Sequence, residues 1–518
     1  MMTYFESTVA ALEAACARRQ GHPFLVWGRR ALSFADVREA AAGWAVRYAG
    51  LGVGPGDRVA LFLGNGPAFV AAYLGAHMVG AAVVLVNSAY RRTELGHILS
   101  DSGTRVVVTE EHRAPVLDEV RGELPGLEYI VADDGQPASG GRGAEALPRP
   151  SSSDIALIGY TSGTTGRAKG AMLTHGNLMA NSAAVTEAWR WTEADRLLLT
   201  LPLFHIHGLG VGLHGALVTG STVDLRAGFS APDVMETLTR SDTTLFFGVP
   251  TMYTRLVEEA RRVLSAGGQA LSDHSRVLGT GGVRLFVSGS APLSPQTFAE
   301  FEELFGQRIL ERYGMTETVM NLTNPYEGER RPGTVGMPFP GQEARVVHVR
   351  TRAPLLDGEA GEIQVRGPHV FKGYWGNPAA TAEAIDAEGW FSTGDLGWRS
   401  PDGYYTISGR ARELIISGGY NIYPREVEEA LEAHPLVAEA AVVGLPDAEF
   451  GEQVAAAVVT AAGDVRPTAD ELVEWCRERL ASYKKPRRVA FVELLPRNAL
   501  GKVQKHLLRD EMLKDVEL

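Results

Sequence analysis

The stretch Tyr160-Thr161-Ser162-Gly163-Thr164-Thr165-Gly166-Arg167-Ala168-Lys169-Gly170 concentrates groups that can hold an anion. It combines four Ser or Thr hydroxyls, three glycines and two cations. Glycine lets backbone approach a ligand closely, and successive amide N–H groups form an anion-binding nest. The hydroxyls and Lys169 add further donors, so a polyphosphate is the natural guest. The spacing differs from the Walker loop, which needs four residues between its first glycine and Gly-Lys-Ser/Thr. A plain surface loop is the dull alternative, but loops seldom concentrate donors in this way.

Other reactive side chains gather in short polar runs. Leu201-Pro202-Leu203-Phe204-His205-Ile206-His207-Gly208 leads into a glycine-spaced apolar stretch that contains His214 and ends at Gly220. Three histidines invite zinc, but an H-x-H pair without Cys, Asp or Glu at ligand spacing is a weak site. His205 reads better as a pocket-lining group, with a hydrogen-bonded structural histidine as the alternative. Ser288-Gly289-Ser290-Ala291-Pro292 and Tyr313-Gly314-Met315-Thr316-Glu317-Thr318 each follow a short apolar run. Ser392-Thr393-Gly394-Asp395 sets a lone carboxylate in what reads as a tight turn, and Gly409-Arg410-Ala411-Arg412-Glu413 follows it.

These runs need strands ending beneath them. Asp154–Gly159, Arg58–Leu63, Thr104–Thr109 and Val283–Val287 read as strands, with helical patterns between. Such alternation indicates α/β layers with a largely parallel sheet, whose ligands bind beyond the carboxyl ends of the strands. Ser294-Pro295 opens a helix with Phe298, Phe301, Leu304 and Phe305 on one face, and Gly306 stops it. From Val335 the chain turns β-rich. Beyond Glu413 a smaller α/β pattern begins: Pro424 opens a helix with Val427, Ala430 and Leu431 inward, and Thr468 with Glu471 makes a capping box before Leu472, Trp475 and Cys476.

At 518 residues the chain is too long for one core. A net charge of -12 argues against nucleic-acid binding, because nothing neutralises phosphates in bulk. Two cysteines, Cys16 and Cys476, point to a reducing, cytoplasmic setting. No basic start followed by an apolar run suggests a signal peptide, and Phe69–Val86, with His77 and its glycines, reads as a helix and a buried strand rather than a membrane span.

The glycine-rich stretch, Tyr313-Gly314-Met315-Thr316-Glu317, Ser392-Thr393-Gly394-Asp395, Gly409-Arg410 and Pro496-Arg497-Asn498-Ala499-Leu500-Gly501-Lys502 together resemble the adenylate-forming superfamily of acyl-CoA synthetases, luciferases and peptide-synthetase adenylation domains. The resemblance covers nearly the whole chain, in the family's order. One departure is Ala168, where that family usually has proline. The resemblance implies an α/β fold: a large N-terminal domain of layered, mostly parallel sheets with helices plus a β-rich subdomain over 1–409, a hinge at 410–412, and a small mobile C-terminal α+β domain over 413–518. It implies two half-reactions. A carboxylate attacks the α-phosphorus of ATP and releases pyrophosphate; then the CoA thiol displaces AMP from the acyl-adenylate. Two anions must meet in the first step, so cations and amide dipoles must gather around the phosphates.

Carried over by resemblance, Thr161, Ser162, Gly163, Thr164, Thr165, Gly166 and Lys169 would cradle the leaving phosphates. Glu317, with Thr164, would hold Mg²⁺, and Thr316 would contact the α-phosphate. Tyr313 would stack on adenine, with Ser290, Ala291 and Pro292 as the other wall and Glu311, Arg312, Gly314 and Met315 beside it. Asp395 would accept hydrogen bonds from both ribose hydroxyls, reinforced by Arg410. Lys502 would bridge the acid and the α-phosphate, with His205 and Glu317 as further catalytic groups. Arg412 falls at the hinge position, and Gly418, Gly419 and Tyr420 would line the CoA path. ATP, CoA and Mg²⁺ are thus the implied cofactors, a small carboxylic acid the partner, and a separate acyl carrier protein an alternative acceptor. A monomer or homodimer is expected.

For the acid, Tyr253-Thr254-Arg255-Leu256, Ser288-Gly289-Ser290 and Asn321–Tyr326 resemble malonyl-CoA synthetases. A malonate-type acid needs a cation for its second carboxylate; Arg255 is the expected one, unless it pairs with Glu258 or Glu259 at helical spacing. Arg284 lies too early in its strand. Against malonate, the small residues of Gly208-Leu209-Gly210-Val211-Gly212-Leu213 suggest a roomy apolar pocket for a fatty, aromatic or polycyclic acid. The expected pocket lining is His205, Ile206, Gly210, Val249, Arg255, Ser288, Gly289 and Met315.

Overall fold

Local signals set the element ends. Ser294 Oγ accepts from the Thr297 amide, Pro295 occupies the first turn, and Gly306 closes helix Pro295–Phe305 at φ 65°. The Thr468–Glu471 capping box opens helix Ala469–Arg477, which buries Leu472 and Cys476. The computed structural model describes residues 4–133, 148–161, 168–240, 242–266, 282–417, 420–447, 449–461, 463, 465–498 and 501–514. These form two compact units, Met1–Ala344 with Val365–Phe391, and Arg345–Gln364 with Ser392–Leu518.

The first unit contains two large sheets. In the nine-stranded sheet, Pro23–Trp27, Thr222–Leu225, Arg196–Leu199, Leu245–Gly248, Leu285–Ser288 and Leu310–Tyr313 pair in parallel in that order. The second sheet runs parallel through Tyr129–Asp133, Val106–Glu110, Arg58–Phe62, Ala82–Leu85 and Ile155–Thr161, then antiparallel through Lys169–Thr174 and Gly373–Tyr374. Strands such as Leu245–Gly248 and Ala82–Leu85 are buried along their whole length, because helices cover both faces of a parallel sheet. Phe69–Val86 divides into helix Pro67–Met78 and strand Ala82–Leu85. Among the described residues no helix is long and apolar enough to cross a membrane.

The second unit holds the four-stranded sheet of Glu343–Val347, Gly361–Arg366, Phe391–Arg399 and Tyr405–Arg410. Its other sheet pairs Gly451–Thr460 antiparallel with Val437–Asp447 and parallel with Arg488–Phe491. Helices Pro424–Glu432 and Ala469–Arg477 bury Val427, Leu431, Leu472 and Cys476 against it. Compactness thus groups most of the four-stranded sheet with the C-terminal segment, whereas the sequence reading places the boundary at 410–412.

Candidate active site

In the first unit, Thr161 and Lys169 face each other across antiparallel strands and bracket the glycine-rich stretch. Ser162, Gly163, Thr164, Thr165 and Gly166 lie outside the described residues. Thr161 Oγ1 donates to Glu317 Oε1 at 3.2 Å, and Tyr374 Oη donates to the same oxygen at 3.1 Å. Lys169 Nζ lies 5.3 Å from the centroid of the Tyr374 ring. Glu317 is buried. Thr316 sits on bare backbone: a Cβ at Gly159 would lie 2.5 Å from its Cγ2. Gly314 lets the same loop fold back, because a Cβ there would lie 2.0 Å from the Val319 carbonyl oxygen.

Mg²⁺ takes oxygen ligands and is bound by one or two carboxylates together with water and substrate phosphates. A single buried carboxylate beside a hydroxyl fits that pattern. Among the described residues no group of three or more His, Cys, Asp or Glu side chains could hold a metal.

A second polar cluster in this unit lies where neighbouring parallel strands end, the position at which open α/β sheets bind ligands. Leu310–Tyr313 carries Glu311 and Arg312, Leu285–Ser288 leads into Gly289 and Ser290, and Arg196–Leu199 leads towards His205 and His207. Ser290 Oγ is 3.4 Å from His207 Nδ1 and 3.5 Å from Arg312 Nη2. Ser290 adopts φ 73°, a left-handed backbone that costs of order 1 kcal/mol or more for a residue with a Cβ. His205 Nδ1 accepts the His207 backbone N–H at 3.2 Å, which places its proton on Nε2 in the neutral ring. Burial, helped by the Arg312 charge, pulls the His205 pKa down to about 4, so the ring is neutral at pH 7. Tyr313 is buried, with its Oη 3.7 Å from Met315 Sδ. Glu311 Oε1 accepts the Gly333 N–H at 3.0 Å, so its carboxylate ties down a neighbouring loop.

Two expectations for the acid pocket change. Arg255 is exposed on helix Pro250–Ala266, and Glu259 there pairs with Arg262; the buried cation is Arg312. The glycines of 208–212 open no space. A Cβ at Gly208 would lie 2.4 Å from the Pro202 carbonyl oxygen, one at Gly210 2.6 Å from Ile206 Cδ1, and one at Gly212 2.9 Å from Leu199 Cδ1. They let the wide-turned helix His207–Leu213 pack tightly, with Ile206 and Val319 filling the room above Gly210. As its place early in the strand implies, Arg284 is structural, joined by two 2.8 Å bonds to Asp195. Ile206, Val249, Ser288 and Gly289 are buried.

In the second unit, Asp395 lies within strand Phe391–Arg399 rather than in a tight turn; the turn-like signal comes from Gly394 at φ 70°. It sits directly opposite Arg410, Nε to Oδ1 2.6 Å. Lys502 is bonded to Asn498: its N–H donates to Asn498 Oδ1 at 3.0 Å and its carbonyl accepts from the Asn498 N–H at 2.9 Å. Tyr420 is exposed and stacks on Tyr483 at 4.5 Å. Gly418 and Gly419 lie outside the described residues, and Arg412 lies in the short 3₁₀ turn Ala411–Glu413.

Residues 12–375 match the AMP-binding enzyme family, and residues 426–502 match the AMP-binding enzyme C-terminal domain. The chain belongs to the AMP-binding enzyme family. It is 35% identical to a malonate–CoA ligase of Arabidopsis thaliana over 498 residues, covering 90% of this chain and 80% of that protein. It is 38% identical to a feruloyl-CoA synthase of an Amycolatopsis species over 491 residues, covering 93% and 94%. ATP-bound MatB from Rhodopseudomonas palustris superimposes with a TM-score of 0.88 at 36% identity, covering 98% of this chain and 99% of that one. The chain is an acid–CoA ligase of the adenylate-forming kind.

Sequence reasoning missed Tyr374 and Gly159. Tyr374 reaches Glu317 only because Gly373–Tyr374 adds an edge strand to the second sheet, and no local pattern announces that pairing. Gly159 reads from the sequence as one strand residue among several; its lack of a Cβ inside an apolar run is the available signal.

Proposed function

We propose that this AMP-forming acyl-CoA synthetase activates a compact carboxylic acid of the malonate type and passes it to CoA. The observation that carries the adenylation half is the convergence of Thr161 and Tyr374 on one oxygen of buried Glu317, at the edge of the glycine-rich stretch. Thr161 and Lys169 orient the leaving phosphates, and Thr316 contacts the α-phosphate. Glu317 would hold Mg²⁺ with Thr164; that ion, when bound, offsets charge on the phosphate oxygens. Neutral His205, through Nε2–H, orients the acid's carboxylate for attack on the α-phosphorus. Tyr313 packs against adenine, Asp395 accepts the ribose hydroxyls, and Arg410 holds Asp395. Lys502 supplies the cation that lets carboxylate and α-phosphate approach. In the second half-reaction the CoA sulfur attacks the acyl carbon, the thiol proton is lost and AMP leaves. Gly418, Gly419 and Tyr420 line the path of that thiol, and Arg412 is the hinge between adenylation and thioester formation. The tight packing of the 208–212 glycines favours a compact acid over a polycyclic or long-chain one.

A cytoplasmic setting is part of the same reading. It is supported by two free, buried cysteines, each raised by burial to a pKa of about 11 and therefore unreactive as thiolates.

Lys502→Ala should abolish acid-dependent pyrophosphate release while sparing CoA-thioester formation from a supplied acyl-adenylate. One preorganised charge is worth on the order of 10²–10³ in rate. Equal loss of both half-reactions would contradict the role of Lys502. No pyrophosphate release by the wild-type chain with any acid would sink the reading itself.

A further inference from the structure

Val319, just beyond Thr316 and Glu317, stands at φ 60° in the left-handed region. A β-branched side chain strains that backbone, and such strain persists only where the surroundings hold it. The turn is tied at its base. The Thr318 N–H donates to the Met315 carbonyl at 3.1 Å, and the Asn321 N–H to the Tyr313 carbonyl at 2.9 Å.

Asn181 grips the same turn from outside. It is buried in helix His175–Ala188, and its Nδ2 donates to the Met320 carbonyl at 2.8 Å and to the Thr318 carbonyl at 3.5 Å. Those two carbonyls flank Val319. One helical turn earlier, Asn177 treats a second segment alike: its Nδ2 donates at 2.8 Å to both the Pro368 and the Val370 carbonyls, which flank His369. Positions i and i+4 share a helix face, so one face holds both segments. The segments are also joined to each other. His369 Nε2 is 3.0 Å from Asn321 Oδ1, and the Phe371 N–H donates to the Glu317 carbonyl at 2.9 Å. The second segment then leads to Tyr374, whose hydroxyl meets the Glu317 carboxylate.

Fold stability alone does not call for asparagine at 181. Its Oδ1 has no partner among the described residues, nor have Thr318 Oγ1, Asn321 Nδ2 and His369 Nδ1. A buried amide oxygen without a partner is costly, and an apolar side chain of similar shape avoids that cost. An apolar side chain cannot, however, hold the carbonyls on both sides of a left-handed valine.

We propose that Asn181 is a positioning residue for adenylation: by bonding the carbonyls that flank Val319, it holds the strained turn that aims the Glu317 carboxylate. This rests on the reading of Glu317 as the Mg²⁺ carboxylate, and the test separates the two.

Asn181→Leu keeps the volume and removes the donor. In the chain without metal or substrate, amide hydrogen exchange in peptides spanning 314–322 and 369–375 should quicken about tenfold, while helix Pro295–Phe305 exchanges as before. The kcat for acid-dependent pyrophosphate release should fall by about 10–10²-fold, and the Mg²⁺ concentration for half-maximal rate should rise by about threefold or more. Thioester formation from a supplied acyl-adenylate should change by less than about threefold. Glycine adopts the left-handed backbone freely, so adding Val319→Gly to Asn181→Leu should recover about tenfold in rate. Asn181→Ser, whose short hydroxyl cannot span both carbonyls, should show the same pattern and covers the case in which Asn181→Leu fails to fold. Unchanged exchange, equal losses in both half-reactions, or no recovery with Val319→Gly overturns the proposal. Glu317→Gln is measured alongside. A Mg²⁺ dependence altered by Glu317→Gln but not by Asn181→Leu overturns the role of Asn181 alone, whereas one unaltered by Glu317→Gln removes the reading of Glu317 with it.

Discussion

Thr316 rests directly on Gly159, and the two belong to different sheets' strand ends: Gly159 to Ile155–Thr161, Thr316 to the loop after Leu310–Tyr313. A Cβ added at 159 would come within 2.5 Å of Thr316 Cγ2, closer than side chains tolerate. Either the loop carrying Thr316 and Glu317 moves or the strand does. Gly159→Ala should therefore lower kcat/KM for acid-dependent pyrophosphate release by ~10²-fold, since a displacement near 1 Å has that effect on positioned groups. It should also destabilise the fold by ~1–3 kcal/mol through overpacking. Steady-state kinetics and urea unfolding check both; a variant with unchanged kinetics would show that the contact does not position Thr316.

Glu317 accepts two hydroxyls on one oxygen, from residues 156 and 57 positions away. Tyr374→Phe removes one of these donors and keeps the ring that Lys169 faces. Losing a hydrogen bond to a charged group is worth ~1.5–3 kcal/mol at most, so the adenylation rate should fall by about 10- to 100-fold and the Mg²⁺ concentration for half-maximal rate should rise. Glu317→Gln, which removes the charge itself, should cost at least as much. A Mg²⁺ titration of both variants decides the matter: an unchanged Mg²⁺ dependence in Glu317→Gln would remove this residue from the metal's surroundings.

Those two sites mark the limit of what the sequence made legible. Periodicity and caps located helix Pro295–Phe305 and the strands under each polar run, because such signals are local. The polar motifs were legible as a set, and Thr161 and Glu317 do meet. Distances across the fold were not legible. The 208–212 glycines looked like space and are instead contact points, since a sequence shows that a side chain is missing but not what fills the gap. Arg255 and Arg312 are the same residue type, but Arg255 lies on the exposed side of helix Pro250–Ala266 while Arg312 is enclosed on strand Leu310–Tyr313, a difference that only the folded chain shows. Asp395 looked like a turn residue because Gly394 has a left-handed backbone inside a strand.

A cluster of buried histidines makes acid sensitivity a property of the first unit. His77 and His175 lie with ring centroids 4.6 Å apart, both reaching Thr8 Oγ1, and His214 accepts or donates to Tyr73 Oη at 2.9 Å. Burial holds His175 and His214 down to pKa values of about 3, and His77 well below its ordinary value. The unfolded chain binds protons at these sites below about pH 6.5 and the folded chain does not. Their contribution is therefore complete above pH 6.5 and is lost progressively as pH falls from there towards 3. Each histidine adds a slope of ~1.4 kcal/mol per pH unit inside that window. Urea unfolding from pH 7 to pH 4 should show the decline, and His175→Gln should make it shallower by about one proton. An identical slope in that variant would mean that His175 titrates alike in both states.

Asp395 and Arg410 form the most enclosed charge pair of the four-stranded sheet, opposite each other in register and 2.6 Å apart. Asp395 is buried, and its own N–H is held by Thr393 Oγ1 at 3.1 Å. Breaking a fully buried pair costs ~3–5 kcal/mol, but the Arg410 side chain is 29% exposed, and water screens it. Arg410→Gln should therefore destabilise by ~1–2 kcal/mol and leave a carboxylate that is less fixed in direction. If Asp395 receives the ribose, ATP KM should rise about tenfold while kcat moves less, because the loss falls on ground-state binding. Asp395→Asn alone should raise ATP KM further, since the amide cannot accept from two hydroxyls as a carboxylate does. The double variant separates pairing from simple proximity. Coupled residues should lose less together than the sum of the single losses, by ~0.5–3 kcal/mol, whereas additive losses in both unfolding and ATP KM would mean that the two charges act independently.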